Sequence, residues 1–199
     1  MDLLAIEKKH WDHYEHIAGI DEAGRGAWAG PVCAAAVILK KNIGLPGVDD
    51  SKKLTPKKRE ALFDLITSQA LSYGVALVPA EEIDQINILQ ATKKAMLMAV
   101  AQLNPQPGLL LIDGNAGLDT KIPFETVIDG DALSQSIAAA SIIAKVTRDR
   151  LMIELGAQIP GYGFEKHKGY GTKIHREAMK QHGVHALHRK SYAPVRELL

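Results

Sequence analysis

Asp21 and Glu22 close a short apolar run, Ile17-Ala18-Gly19-Ile20, and Gly24-Arg25-Gly26 follows at once. An acid at the end of a buried strand is partly desolvated and needs compensation, which a divalent cation supplies. The two glycines let backbone approach a ligand, and Arg25 between them offers a fork of donors matched to phosphate oxygens. Two later apolar runs also stop at acids: 109–112 at Asp113-Gly114-Asn115, and 124–128 at Asp129-Gly130-Asp131. A lone Asp-Gly is ordinarily a turn. Four acids at strand ends or a helix start, namely Asp21, Glu22, Asp113 and Asp131, are a different matter. Three or four carboxylates within ~6 Å would raise one another's pKa unless a cation sat among them. Two Mg²⁺ or Mn²⁺ ions about 4 Å apart would activate a water and stabilise the attacking and leaving oxygens of an in-line phosphodiester displacement. Hard oxygen donors favour these metals over zinc. For Asp21 and Glu22 to reach one site the strand must end between them, because neighbouring strand side chains point to opposite faces.

The elements that must position these acids read as a layered α/β fold. Residues 17–22 and 31–40 are two strands joined by the glycine-rich turn, and residues 71–77 alternate as a third. Between them a helix begins at Thr55 as N-cap with Pro56 in its first turn, its apolar face carrying Leu62, Leu65 and Ile66. Pro79, Glu81 and Glu82 introduce a helical region whose main part spans about 88–103. The runs 109–112 and 124–128 are strands, and 131–155 is a buried helix rich in Ala, Ile and Ser, with Asp131 or Ser134 near its N-terminus. In an open α/β sheet the crevice at strand ends is the usual ligand site, so distant acids can converge there. Residues 161–172 are too rich in glycine for a core element and read as a binding loop. A short helix at 174–181 and an irregular end follow.

The chain has 199 residues and a net charge of +1. That length predicts one domain, 1–199, with 156–199 as a C-terminal substrate-binding extension. The small net charge hides clusters: Lys52, Lys53, Lys57, Lys58 and Arg59 in one place, and Lys166, Lys168, Lys173, Arg176, Arg189 and Lys190 through the C-terminal part. Taken alone these read as solvated faces; beside four acids they suit a nucleic-acid backbone. Cys33 cannot form an internal disulfide and is expected to fill core space, which fits a reducing cytosol. Glu7, Lys8, Lys9 and His10 interrupt any signal-like run, and no stretch is long enough to cross a bilayer, so a cytoplasmic protein is expected.

Five blocks now stand in order: Asp21-Glu22-Ala23-Gly24-Arg25-Gly26, Asp50-Ser51-Lys52-Lys53-Leu54, Gly130-Asp131, the run from Ser136 to Asp149, and His167-Lys168-Gly169-Tyr170-Gly171-Thr172. Together they resemble bacterial ribonuclease HII over most of the chain. The resemblance implies a ribonuclease H-like fold, a central mixed five-stranded sheet flanked by helices with a helical C-terminal region. It implies that Asp21, Glu22, Asp113 and Asp131 are catalytic acids and hold Mg²⁺ or Mn²⁺, two ions during catalysis. It also implies that Gly24, Arg25, Gly26 and Tyr170 recognise the 2′-hydroxyl at an RNA to DNA junction, the tyrosine ring packing on the following deoxyribose. Lys52, Lys53 and Lys168 are expected near the nucleic-acid backbone. The implied activity is an endoribonuclease that cuts the RNA strand of RNA/DNA hybrids and incises 5′ to ribonucleotides embedded in duplex DNA, acting as a monomer. Ala27-Trp28 departs from the proline and leucine often found there, and Trp28 is read as packing.

Other readings fit less well. Residues 24–29 match a dinucleotide fingerprint, but that fingerprint must open a helix, whereas Pro31 and the apolar run after it read as a strand. A non-catalytic nucleic-acid-binding module has no need of strand-end acids. Type 3 ribonuclease H, the nearest enzymatic alternative, usually carries lysine where Arg25 stands and a sizeable N-terminal domain, for which the twenty residues before Asp21 are too few. His182, His185 and His188 lack the second ligand group of a zinc site and are expected to be solvated or phosphate-facing.

Overall fold

The computed structural model describes residues 2–49 and 51–199; Asp50, which opens the second motif block, lies outside the described residues. In chain order the elements are α1 (Ala5–His10), β1 (Ile17–Ala23), β2 (Val32–Ile38), α2 (Pro56–Gln69), β3 (Ser72–Val78), α3 (Ala80–Val100), β4 (Leu109–Asp113), β5 (Phe124–Val127), α4 (Gly130–Leu133), α5 (Gln135–Gln158), α6 (Phe164–His167), α7 (Lys173–His182) and α8 (Ala193–Arg196). The strands form one mixed sheet in the order β3-β2-β1-β4-β5. β2 is antiparallel to β1 and β3, while β4 is parallel to both β1 and β5. The predicted fold class, a five-stranded mixed sheet flanked by helices, is the one observed.

β1 is the central strand, and its parallel partner β4 ends at the same edge of the sheet. The last recorded pair between them is Ile20↔Ile112. The next residues along are Asp21 and Asp113, so two acids more than ninety positions apart in sequence follow the last pair on neighbouring strands, each still paired on its other side, Asp21 to Ala35 and Asp113 to Val127. Both faces of β1 are covered, which is why its sequence is a nearly continuous apolar run. On one face Ala18, Ile20, Ala34 and Ala36 pack against Ala91, Ala95 and Ala99 of α3. On the other, Ala23, Cys33, Ala35 and Val37 pack against Ala138–Ala144 of α5. Cys33 is fully buried there, and burial pushes its thiol up to about 12. α5 lies against β1 because residue 19 has no side chain: a Cβ on Gly19 would stand 2.1 Å from the Ser136 carbonyl carbon.

Several local expectations hold in detail. Thr55 caps α2, its hydroxyl accepting the Lys58 amide at 3.3 Å, with Pro56 in the first turn. α3 is broken at Asn87, at φ 67°, whose side chain accepts the Gln90 amide at 3.1 Å, so the main helical part starts at residue 88 as its sequence predicts.

Three expectations need correction. β1 does not end between Asp21 and Glu22 but runs on to Ala23, with Glu22 paired to Ala34 and Ala23 to Cys33. The antiparallel partner β2 is long enough to keep the ladder intact through the acids. Nor does one helix span 131–155. Asp131 lies in the single turn α4, and Ser134 ends that turn and caps α5, accepting the Ile137 amide at 3.2 Å. Finally, His188 and the neighbouring Arg189 are not solvated, although His182 is exposed. Tyr162, Phe164, Ala178, Met179 and Val195 form a separate apolar cluster on Met152 and Ala29, with Arg189 and His188 buried beside it.

Candidate nucleic-acid cleavage site

Asp21 lies on the α5 side of the sheet and is 4% exposed. Its carboxylate accepts the Glu22 amide at 2.6 Å and a hydrogen bond from Ser141 of α5, whose hydroxyl also meets Ser51 at 2.7 Å. Burial, and then the charges of Glu22 and Asp113, hold the Asp21 carboxyl well above the usual carboxylate range. Glu22 alternates to the opposite face and reaches the strand ends from there. Burial raises its pKa too, opposed by Arg25, whose Nη1 lies 3.2 Å from Oε1. Asp113 interacts electrostatically with both. Its Oδ1 accepts the Gly130 amide at 2.8 Å, which ties the end of β4 to the turn that presents Asp131.

Asp131 is also 4% exposed and is held by Lys52, with Nζ 3.0 Å from Oδ2. The Lys52 charge reaches Glu22 as well, so this ammonium lies between the two ends of the acidic group. The donor set is all carboxylate oxygen, the type and charge that suit a hard divalent cation. Asp21, desolvated between two other acids, is the residue with most to gain from one. Among the described residues no three or more His, Cys, Asp or Glu side chains stand close enough together to hold a metal ion as they are placed.

The glycine-flanked turn and the 167–172 loop form one body. A Cβ on Gly24, which has φ +91°, would stand 1.9 Å from Nε of Arg148, so the turn exists in this shape only with glycine there. Arg148 is fully buried and donates Nε to the Pro31 carbonyl, Nη2 to Ala29 and Nη1 to Lys168. The Gly169 carbonyl accepts the Trp28 amide at 2.8 Å and the Ala29 amide at 3.2 Å. Arg189, also fully buried, donates to the carbonyls of Gly30 and Arg25. Gly24 is thus held to glycine by the packing of Arg148 beneath it; Gly26 is the exposed glycine, with nothing near the place a Cβ would take. Arg25 is half exposed.

Tyr170 is half-buried, its ring flanked by the Arg148 guanidinium at 5.3 Å and the Lys145 ammonium at 5.6 Å. It lines a groove of about 370 Å³ with Lys145, Lys166, Lys168 and Arg59. Lys168 folds its ammonium back on the Glu165 and Lys166 carbonyls. Lys53 pairs with Asp49 at 3.6 Å rather than joining Lys52 at the acids. Trp28 packs, its ring 5.6 Å from that of His175. The residues that sequence reasoning passed over are Ser51, Ser141, Arg148, His175, His188 and Arg189. All but Arg189, His175 and His188 lie in quoted motif blocks, which was the available signal. His188 is 1% exposed and Arg189 0%, against the expectation of a solvated end.

The sequence profile of the family Ribonuclease HII matches residues 18–195. The Ribonuclease HII of Desulfitobacterium hafniense (strain DSM 10664 / DCB-2) is 57% identical over 198 residues, covering 99% of this chain and 76% of that protein. In structure the chain is similar to the ribonuclease H2 from Pyrococcus horikoshii OT3, with TM-score 0.79 and 29% identity over 92% of this chain and 96% of that one. It is also similar to the RNase HII of Archaeoglobus fulgidus, solved in a PCNA:RNase HII complex, with TM-score 0.76 and 27% identity over 89% and 95% of the two chains. With its profile match spanning nearly the whole chain and its 57% identity to a Ribonuclease HII, this chain belongs to the ribonuclease HII family.

Proposed function

We propose that the chain is a divalent-metal-dependent endoribonuclease that cuts the RNA strand of RNA/DNA hybrids and incises 5′ to single ribonucleotides in duplex DNA. The observation that carries this reading is the placement of Asp21 near Asp113 on neighbouring parallel strands, with Glu22 interacting with Asp113 and the turn that bears Asp131 tied to Asp113 through Gly130. Asp21, Glu22, Asp113 and Asp131 would hold the metal, Mg²⁺ or Mn²⁺ and two ions during turnover. Bound there, it supplies neutralising charge at the scissile phosphate and a more acidic attacking water. Water oxygen bonds to phosphorus, the bond to the 3′-oxygen breaks, and that oxygen takes up a proton, giving 3′-hydroxyl and 5′-phosphate ends.

The remaining work falls to side chains on the page. Lys52, already within reach of Asp131 and Glu22, keeps positive charge next to the reacting phosphate. The exposed Gly26, in the turn formed with Gly24 and the half-exposed Arg25 side chain, is free to read a 2′-hydroxyl, and Tyr170 offers its ring to the next sugar. Arg148 and Arg189 hold those two readers at a set separation. Lys53 and Lys168 contribute to the basic surface. Residues 1–199 act as one catalytic domain in which 156–199 extends the substrate surface, and the protein works as a cytoplasmic monomer in removal of misincorporated ribonucleotides. Among the described residues no helix is long and apolar enough to cross a membrane.

The test is a duplex containing one ribonucleotide, incubated with the protein with and without Mg²⁺, and the nick mapped to the nucleotide. Cleavage on the 5′ side that requires the ion supports the reading. Equal cutting of an all-DNA duplex, or cutting unaffected by a chelator, overturns it.

A further inference from the structure

Behind Tyr170 lies a set of buried histidines that the reaction does not use. His175 is 0% exposed and His188 1%, and their Nε2 atoms are 3.0 Å apart. Nδ1 of His175 is 3.0 Å from the Tyr170 carbonyl, while Nδ1 of His188 is 2.9 Å from the His185 amide and 3.1 Å from the His185 carbonyl. A carbonyl only accepts and an amide N–H only donates. His175 must therefore carry a proton on Nδ1, whereas Nδ1 of His188 could meet its neighbours in either state, so the Nε2–Nε2 contact decides: two bare nitrogens cannot face each other at 3.0 Å. Burial pushes both histidines down to about 4, so at neutral pH each has a single proton. That leaves one arrangement: Nε2–H of His188 donates to the bare Nε2 of His175, and Nδ1–H of His175 donates to Tyr170. Every nitrogen in the chain is then satisfied.

We propose that His175 and His188 are positioning residues: their relay, running from the His185 amide to the Tyr170 carbonyl, sets where the Tyr170 ring stands for substrate. The inference rests on the reading of Tyr170 as the residue that packs on the sugar after a ribonucleotide. A third histidine closes the frame. The His167 ring stacks on His175 at 4.3 Å, with its Nε2 2.8 Å from the Tyr162 carbonyl and its Nδ1 accepting the Gly169 amide at 3.2 Å. The Tyr170 carbonyl and the Gly169 amide are thus each bonded to an imidazole, while Arg148 lies 5.3 Å from the tyrosine ring centroid. Removing the His188 donor leaves a buried lone pair on His175, which the ring can satisfy by moving its proton from Nδ1 to Nε2 or by turning. Either change releases the Tyr170 carbonyl. Because the sugar after an embedded ribonucleotide is deoxyribose, whereas in a continuous RNA strand it is ribose, displacement of the tyrosine falls on the first substrate more than on the second.

The experiment has two arms. In the wild-type protein, histidine ¹⁵N shifts are expected to place the proton on Nδ1 of His175 and on Nε2 of His188, with a scalar coupling across the Nε2–Nε2 hydrogen bond. A proton on Nε2 of His175 overturns the relay. In the second arm, cleavage of a single-ribonucleotide duplex and of a long RNA/DNA hybrid is compared for His188→Ala, His175→Ala, His175→Asn and Tyr170→Ala, each below its melting temperature. Both alanine variants of histidine are expected to lower the single-ribonucleotide to hybrid ratio on the order of tenfold, through kcat more than KM. His175→Asn, whose amide still donates to Tyr170, is expected to recover part of it. Simple destabilisation would lower both substrates alike. A ratio unchanged in the folded histidine variants but lowered in Tyr170→Ala overturns the positioning role. A ratio unchanged in Tyr170→Ala overturns the reading of Tyr170 and with it the effect on selectivity, while the tautomers still answer for the relay.

Discussion

Nε of Arg148 stands 1.9 Å from the place a Cβ on Gly24 would occupy. One buried guanidinium thus fills the space under the turn that follows the acids, and its Nη1 reaches the loop that carries Tyr170 through the Lys168 carbonyl. Gly24→Ala puts a methyl into that guanidinium at a residue with φ +91°. The expected cost is about 3 kcal/mol or more, read as a lower denaturant midpoint, together with loss of cleavage. Gly26→Ala, at a site with nothing near the added carbon, is expected to leave stability within about 0.5 kcal/mol.

Asp113→Asn keeps an oxygen for the Gly130 amide and removes only charge. Cleavage is expected to fall by at least on the order of a hundredfold while the circular dichroism spectrum and the affinity for a nicked-product duplex stay near wild type. Asp131→Asn should behave likewise. Ordinary turnover by either variant would remove these residues from the metal site.

Asp21 carries the opposite kind of prediction, on stability. Its folded pKa is raised, so the stability it contributes is present at low pH and lost as pH rises through the folded value. At neutral pH the ionised group is a cost. Asp21→Asn should therefore stabilise the metal-free protein by about 1–2 kcal/mol while abolishing cleavage. Mg²⁺ or Mn²⁺ should raise the melting temperature of wild type by mass action and that of Asp21→Asn much less. Calorimetry with and without the ion reads both.

The buried histidines set a different pH window. His175 and His188 lie at about 4 in the folded protein, below the ordinary value of 6.5. Their contribution is intact above pH 6.5 and is lost as pH falls towards 4, because the unfolded chain takes up protons that the folded one refuses. Each fully shifted histidine makes stability fall by about 1.4 kcal/mol per pH unit within the window. Urea unfolding of wild type and His188→Gln between pH 7.5 and 4.5 isolates the effect: the variant should show the shallower slope.

Much of this protein is legible along the chain because its signals are local. An apolar run that stops at Asp21 or Asp113, a threonine before Pro56, and an asparagine where α3 breaks each act on neighbours a few residues away. The motif blocks carried Asp21, Glu22 and Asp131 and the Tyr170 loop as well. What a linear reading misplaced depends on partners far off in sequence. Glu22 stays within β1 because β2 continues opposite it. Asp131 lies on its own turn because Ser134 caps the next helix. Arg148, His188 and Arg189 look like surface residues by composition, yet each is buried. The atoms that satisfy their polar groups are mostly main-chain carbonyls and amides of other loops, and for Arg148 and Arg189 these lie more than a hundred residues away. Such groups carry no residue-type signature, so burial of a charge on them becomes visible when the chain has closed around it.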